Sequence, residues 1–178
     1  MNKARHMVVG AAVVLMVAMA GAEASAQSTS RLTDADRKFV MEALEGGQME
    51  VELGKLAEQK ATNDAVRKFG ERMATDHEKA GQELQELAAS KGITAPSKSA
   101  EKDKAASERL SKASGAAFDR EYVTMMVADH EKDVAEFKKM SREAKDPELK
   151  AWAVKTLPTL ETHLKMIRQI QKQVATRQ

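Results

Sequence analysis

The chain has 178 residues, with 29 basic and 27 acidic side chains and no cysteine. That length accommodates one domain with a core of its own, and the near-balance of charge gives no reason to expect nucleic acid or an anionic membrane as a partner. Without cysteine there is no disulfide and no thiolate for catalysis or metal binding, so methionine is the only soft ligand available.

Residues 1 to 26 read as an export signal: Lys3 and Arg5 precede an apolar run from Met7 to Ala20, and Ala24-Ser25-Ala26 supplies the small-x-small pattern cleaved after Ala26. The run is too short, and too closely followed by Glu23, to make a good membrane span; an uncleaved anchor is the alternative. The processed protein, periplasmic or secreted, would begin with a disordered tail over residues 27 to 32 and carry a net charge of +1 once Lys3, Arg5 and Glu23 are gone.

From there the dominant signal is helical periodicity. The first major helix starts at Thr33 as N-cap and shows its apolar stripe as Phe39, Val40, Leu44, Val51, Gly54 and Ala57. Ala61-Thr62-Asn63 breaks it and caps a second helix with Val66, Phe69, Gly70, Met73, His77 and Leu84, closing around Gly92. Residues 93 to 115 are polar and lysine-rich, a long crossover containing a short solvated helix from Glu101 to Ser111. The third major helix carries Phe118, Tyr122, Met126, His130, Val134 and Phe137. Asp146-Pro147-Glu148 starts the fourth, with Asp as N-cap and Pro in the first turn. Its stripe includes Trp152, Leu160, His163 and Ile167, and Pro158 should kink or break it five residues before His163.

Two helical hairpins joined by one long crossover make an all-α, ferritin-like four-helix bundle over residues 33 to 178. An up-down-up-down bundle with a long loose loop is the other topology open to the pattern. The repeated Asp-His-Glu-Lys at 76 to 79 and 129 to 132 falls on different helices of the two hairpins, so it is no sign of duplication.

His77, His130 and His163 each fall on the apolar stripe of a different helix, where an imidazole needs a hydrogen-bond partner or a metal. Each has a methionine three or four residues away on its own helix: Met73, Met126 and Met166. The remaining major helix offers Glu50, in heptad register with Ala43 and Ala57, as a fourth group, and Glu45 as the runner-up. Counted from the turns, all four side chains reach the middle third of the bundle, which permits convergence. Asp76 and Asp129 are placed to orient imidazoles, either around a metal or simply as buried partners. Tyr122, two turns from His130, could aim its hydroxyl inward, while the methionines are in the first instance gap-filling core. Glu78, Lys79, Glu131 and Lys132 read as solvated face.

A di-iron bundle needs glutamate three residues before its histidines. Here those positions hold Ala74, Val127 and Leu160, so ferroxidase or oxygenase chemistry is disfavoured. Three imidazoles and a carboxylate suit zinc or copper(II), and adjacent thioethers would favour copper(I).

Gly46-Gly47-x-x-Glu50-x-x-Leu53-Gly54-x-Leu56-Ala57 and Val66-x-x-Phe69-x-x-x-Met73-x-x-Asp76-His77 resemble a secreted bacterial family, the ferritin-like domain of unknown function DUF4142. Phe118-Asp119-x-x-Tyr122, Met126-x-x-Asp129-His130 and Leu157-Pro158-x-Leu160-x-x-His163-Leu164 continue the likeness. The resemblance implies an exported bundle with a single crossover and supplies no reaction. The expectation is a mid-bundle metal site of His77, His130, His163 and Glu50, serving storage, buffering or a stress response, with no nucleophile or acid–base pair to suggest an enzyme. The alternatives are a non-metal structural or interaction module of the cell envelope, with histidines buried against Asp76 and Asp129, and a metal-dependent redox enzyme.

Overall fold

The computed structural model describes residues 32–95 and 101–175, and side chains throughout except those of 101–104 and 106. The expected export signal and residues 27–31 of the expected tail lie outside the described residues; Leu32 is buried in the core. All regular structure described is helical: α1 (Asp34–Lys60), α2 (Asp64–Ser90), α3 (Glu101–Lys112), α4 (Gly115–Glu143) and α5 (Pro147–Ala175).

The helix ends follow local chemistry. The Thr33 hydroxyl accepts from Asp36 N at 3.1 Å and the Asn63 side chain accepts from Ala65 N at 2.9 Å, satisfying amides that α1 and α2 cannot pair internally. Asp146 Oδ1 accepts from the amides of Glu148 and Leu149, both at 3.0 Å, and so starts α5. Gly92, at φ +70, closes α2 in a Schellman turn: Ile93 N donates to Ala88 O at 2.9 Å and Gly92 N to Ala89 O at 3.0 Å. Pro158 does not break α5, which runs through it. The carbonyl that its missing N–H leaves unserved is that of Val154, a 53% exposed residue on the solvent side, where water can take over.

Polar contacts at the two ends fix the topology. Asp119, early in α4, accepts from Thr62 N, Thr62 Oγ1 and Asn63 N at 3.1, 2.5 and 3.0 Å, so the α1–α2 turn sits beside the start of α4. At the opposite end Lys91, just after α2, pairs with Asp146 at 2.8 Å, and Asp36 of α1 faces Lys145 N at 3.3 Å. α2 and α4 therefore run in the same direction, and the chain between them returns the length of the bundle. α1 packs on α2 and α4 on α5, while α2 meets α5 and α1 meets α4. This is the single-crossover, ferritin-like arrangement rather than the up-down-up-down one. The crossover helix is less solvated than its composition suggests, because Leu110 is fully buried against the bundle.

The core is split in two. One apolar cluster contains Phe39, Leu44, Leu84, Val134, Phe137, Trp152 and Leu160; the other contains Met49, Leu53, Phe69, Met73, Tyr122, Met126 and Ile167. Along α2, α4 and α5 the changeover brackets His77, His130 and His163, and on α1 it falls beside Glu50. A polar layer crosses the bundle at mid-height.

Candidate metal centre

Each histidine reaches this layer because the helical repeat that buries its neighbours also turns it inward; His77, His130 and His163 are 7%, 0% and 0% exposed. Their ring centroids form a nearly equilateral triangle with sides of 5.4, 5.5 and 5.7 Å. One ring nitrogen from each lies within 4.8 Å of the other two. Phe69 packs edge-on at 6.3 Å from His130 and 6.1 Å from His163, sealing one side with an apolar ring.

Every imidazole has one nitrogen held and one left over. His77 Nδ1 lies 2.9 Å from Glu50 Oε2, His130 Nδ1 lies 3.1 Å from the carbonyl of Met126 one turn back, and His163 Nε2 lies 2.8 Å from Asp76 Oδ2. The opposite nitrogens, His77 Nε2, His130 Nε2 and His163 Nδ1, are buried without a hydrogen-bond partner, as is Glu50 Oε1. An acceptor on one nitrogen fixes the N–H there and leaves the lone pair on the other, which is how proteins prepare imidazoles to hold a metal. Burial reinforces this by holding His77 and His163 down to about 4 and His130 to about 3, so the rings are neutral at pH 7.

The spacing fits an ion. A metal–nitrogen bond of about 2.05 Å plus a ring radius of about 1.15 Å puts neighbouring centroids about 5.2 Å apart for tetrahedral and about 5.5 Å apart for trigonal ligands. The observed sides fall at the trigonal end of that range.

The structure thus brings together His77, His130, His163, Glu50 and Asp76. Glu50, expected as a fourth ligand, accepts from His77 and stands 3.5 Å from His130 Nδ1 through its other oxygen. Asp76 orients His163, and partial burial, which would raise its carboxyl, is outweighed by the hydrogen bonds from His163 and Arg72 that lower it. Asp129 groups with Glu50 and Asp133, their oxygens within 4.8 Å of one another. Asp133 was not singled out from the sequence. The signal was there: it is one turn from Asp129 and three residues from His130, on the same face of α4. Burial, then the charges of Glu50 and Asp129, pushes Asp133 up to about 8, and burial, then Asp129, raises Glu50 well above the usual carboxylate range.

Met73 and Met126 are fully buried and Met166 partly so, all within the apolar cluster on the Phe69 side. Tyr122 stacks on Phe118 at 6.0 Å; its buried hydroxyl has no hydrogen-bond partner, and burial and then the Glu50 charge raise its pKa. Glu45 lines a pocket beside the layer without joining the histidines. Glu78, Lys79, Glu131 and Lys132 are exposed.

The sequence matches the family described as a domain of unknown function, DUF4142, over residues 21–170. The chain belongs to the DUF4142 family. No curated protein matches this DUF4142 chain. Among solved structures it is similar to a DUF305 fragment from Deinococcus radiodurans, at 15% identity and TM-score 0.70 over 80% of this chain and 98% of that one. It is also similar to CopM in the Cu(I)-bound form (19% identity, TM-score 0.63, 75% and 93% coverage) and in the Cu(II)-bound form (17%, 0.66, 78% and 96%). At these identities the likeness shows the fold. Among the described residues no helix is long and apolar enough to cross a membrane.

Proposed function

We propose that this DUF4142 protein is exported and binds one transition-metal ion, copper or zinc, through His77, His130 and His163, in a storage, buffering or stress role. The observation that carries the reading is the triangle of buried neutral imidazoles, each oriented through one nitrogen and unpartnered at the other. A buried polar atom left unpaired costs about 1–3 kcal/mol, and one cation would relieve all three. In the metal-free protein Glu50 and Asp133 are held toward their protonated forms; a bound cation would release those protons, and the resulting carboxylates, with Asp129, would compensate its charge, Glu50 being the nearest group for a fourth position. Imidazole sets suit both zinc and copper. The shared fold with copper-bound CopM leans the choice toward copper.

The test is metal analysis of the processed protein after copper and zinc loading. The expected result is about one ion per chain for the wild type and loss of that ion in the His77→Ala/His130→Ala double variant. Unchanged stoichiometry and affinity in the double variant would rule the triad out. A second reading, a metal-dependent redox enzyme, is favoured by one feature: a pocket opens onto His77 and His163 and would let a small oxidant reach the ion. Sustained peroxide turnover by the copper-loaded protein would establish it.

A further inference from the structure

Five glycines sit inside α1 and α2, and they divide into two kinds. Gly54 and Gly70 are where the two helices touch: a Cβ on Gly54 would stand 2.6 Å from the Gly70 carbonyl oxygen, and one on Gly70 would stand 2.7 Å from the Gly54 carbonyl oxygen. Gly46, Gly47 and Gly81 have no such reason, since a Cβ at any of them meets nothing within 4 Å. Glycine within a helix is destabilising, so three with no packing role call for another explanation. What they share is the pocket: all three line it.

The pocket encloses about 70 Å³, room for a few waters or a hydrated ion, and its wall includes His77, His163 and Glu50. These are 7%, 0% and 1% exposed, and each carries an unpartnered polar atom: His77 Nε2, His163 Nδ1 and Glu50 Oε1. Its carboxylates grade from solvent inward: Glu42 is exposed, Glu45, Asp76, Asp129, Asp133 and Glu136 are half-buried, and Glu50 is buried. Among the described lining residues Lys132 is the only lysine or arginine.

We propose that this pocket is the cation channel of the imidazole triad: glycines 46, 47 and 81 hold its mouth open, and Glu45 and Glu136 draw the hydrated ion inward to Glu50. The proposal rests on the triad being a metal site. An acid-lined cleft with low-dielectric walls concentrates cations and speeds their capture by about 10- to 10³-fold, an effect that salt screens. Phe69 closes the other side of the triad. Filling the mouth should therefore slow both arrival and departure of the ion, whereas removing charge should slow arrival alone.

The test is stopped-flow mixing of metal-free protein with Cu(II), read by the fluorescence of Trp152, the only tryptophan in the chain and itself a wall residue of the pocket. Gly47→Leu should lower the rates of uptake and of chelator-driven release together, by about tenfold or more, with equilibrium affinity unchanged. Glu45→Gln/Glu136→Gln should lower uptake about tenfold at low salt and flatten its dependence on ionic strength. Gly81→Leu provides a second steric probe if Gly47→Leu does not fold. Wild-type uptake rates and salt dependence in the charge variant, or a Gly47→Leu effect on affinity with rates of release unslowed, overturn the channel while leaving the triad standing. A wild-type protein that binds no Cu(II) overturns both.

Discussion

Asp133 and the three imidazoles answer to pH in opposite directions. Folding holds His77 and His163 at about 4 and His130 at about 3, against an ordinary value of 6.5. The unfolded chain therefore takes up protons below about pH 6.5 that the folded chain refuses, and stability is lost as pH falls from there toward 4. Asp133 is raised from 3.8 to about 8, so the folded chain retains a proton that the unfolded chain has released, and stability is lost as pH rises toward 8. Glu50 acts in the same sense. Three histidines outweigh Asp133 below pH 6.5, and Asp133 acts above it. Thermal melts of the protein in chelator should therefore peak near about pH 6.5 and decline toward pH 8, and Asp133→Asn should flatten the alkaline side. A melting temperature that climbs steadily from pH 6.5 to 8 would contradict this assignment of the buried carboxylates. Glu50, Asp76 and the histidines were legible in the sequence because each sits at a definite place in a helical repeat. The pairing of Glu50 with His77 was not, because it depends on the rotation of α1 against α2, which no spacing along one helix records. Asp133 is hard to pick out from the sequence because it follows the solvated Glu131-Lys132 pair, although its own angular position is that of the site.

At the scale of the elements, the sequence located the helix ends well, since Thr33, Asn63, Gly92 and Asp146 each act through chemistry confined to a few neighbouring residues. The expectation at Pro158 was only partly right. The missing N–H was correctly read, but its consequence depends on whether the opposing carbonyl faces solvent, and at Val154 it does. The glycines inside α1 and α2 show the same limit: Gly47, Gly54, Gly70 and Gly81 look alike along the chain and differ in what lies opposite. Alanine separates them. Gly54→Ala should destabilise by about 1–3 kcal/mol through overpacking at the helix contact, whereas Gly46→Ala and Gly81→Ala should each stabilise by about 0.5–1 kcal/mol. Urea titrations with unchanged slopes would report these as shifts of midpoint in opposite directions; shifts of the same sign would mean that the open space beside Gly46 and Gly81 is not open in solution.

Across the whole molecule, the single long crossover is what makes the site possible. Running α2 and α4 in the same direction sets His77 and His130 at the same height, and the turn at 144–146 returns α5 so that His163 meets them. The length of the polar segment at 93–115 suggested that route, but the contacts that establish it, Asp119 with Thr62 and Lys91 with Asp146, join residues far apart in sequence. The layer they position divides the core into two apolar halves, and that apolar surround keeps the imidazoles neutral and holds Glu50 and Asp133 toward their protonated forms. The most direct measurement is X-ray absorption of the copper-loaded protein. The account predicts a nearest shell of three imidazole nitrogens at about 2.0 Å, lost in the His77→Ala/His130→Ala variant. A nearest shell dominated by sulfur at about 2.3 Å, or one indifferent to those substitutions, would contradict it.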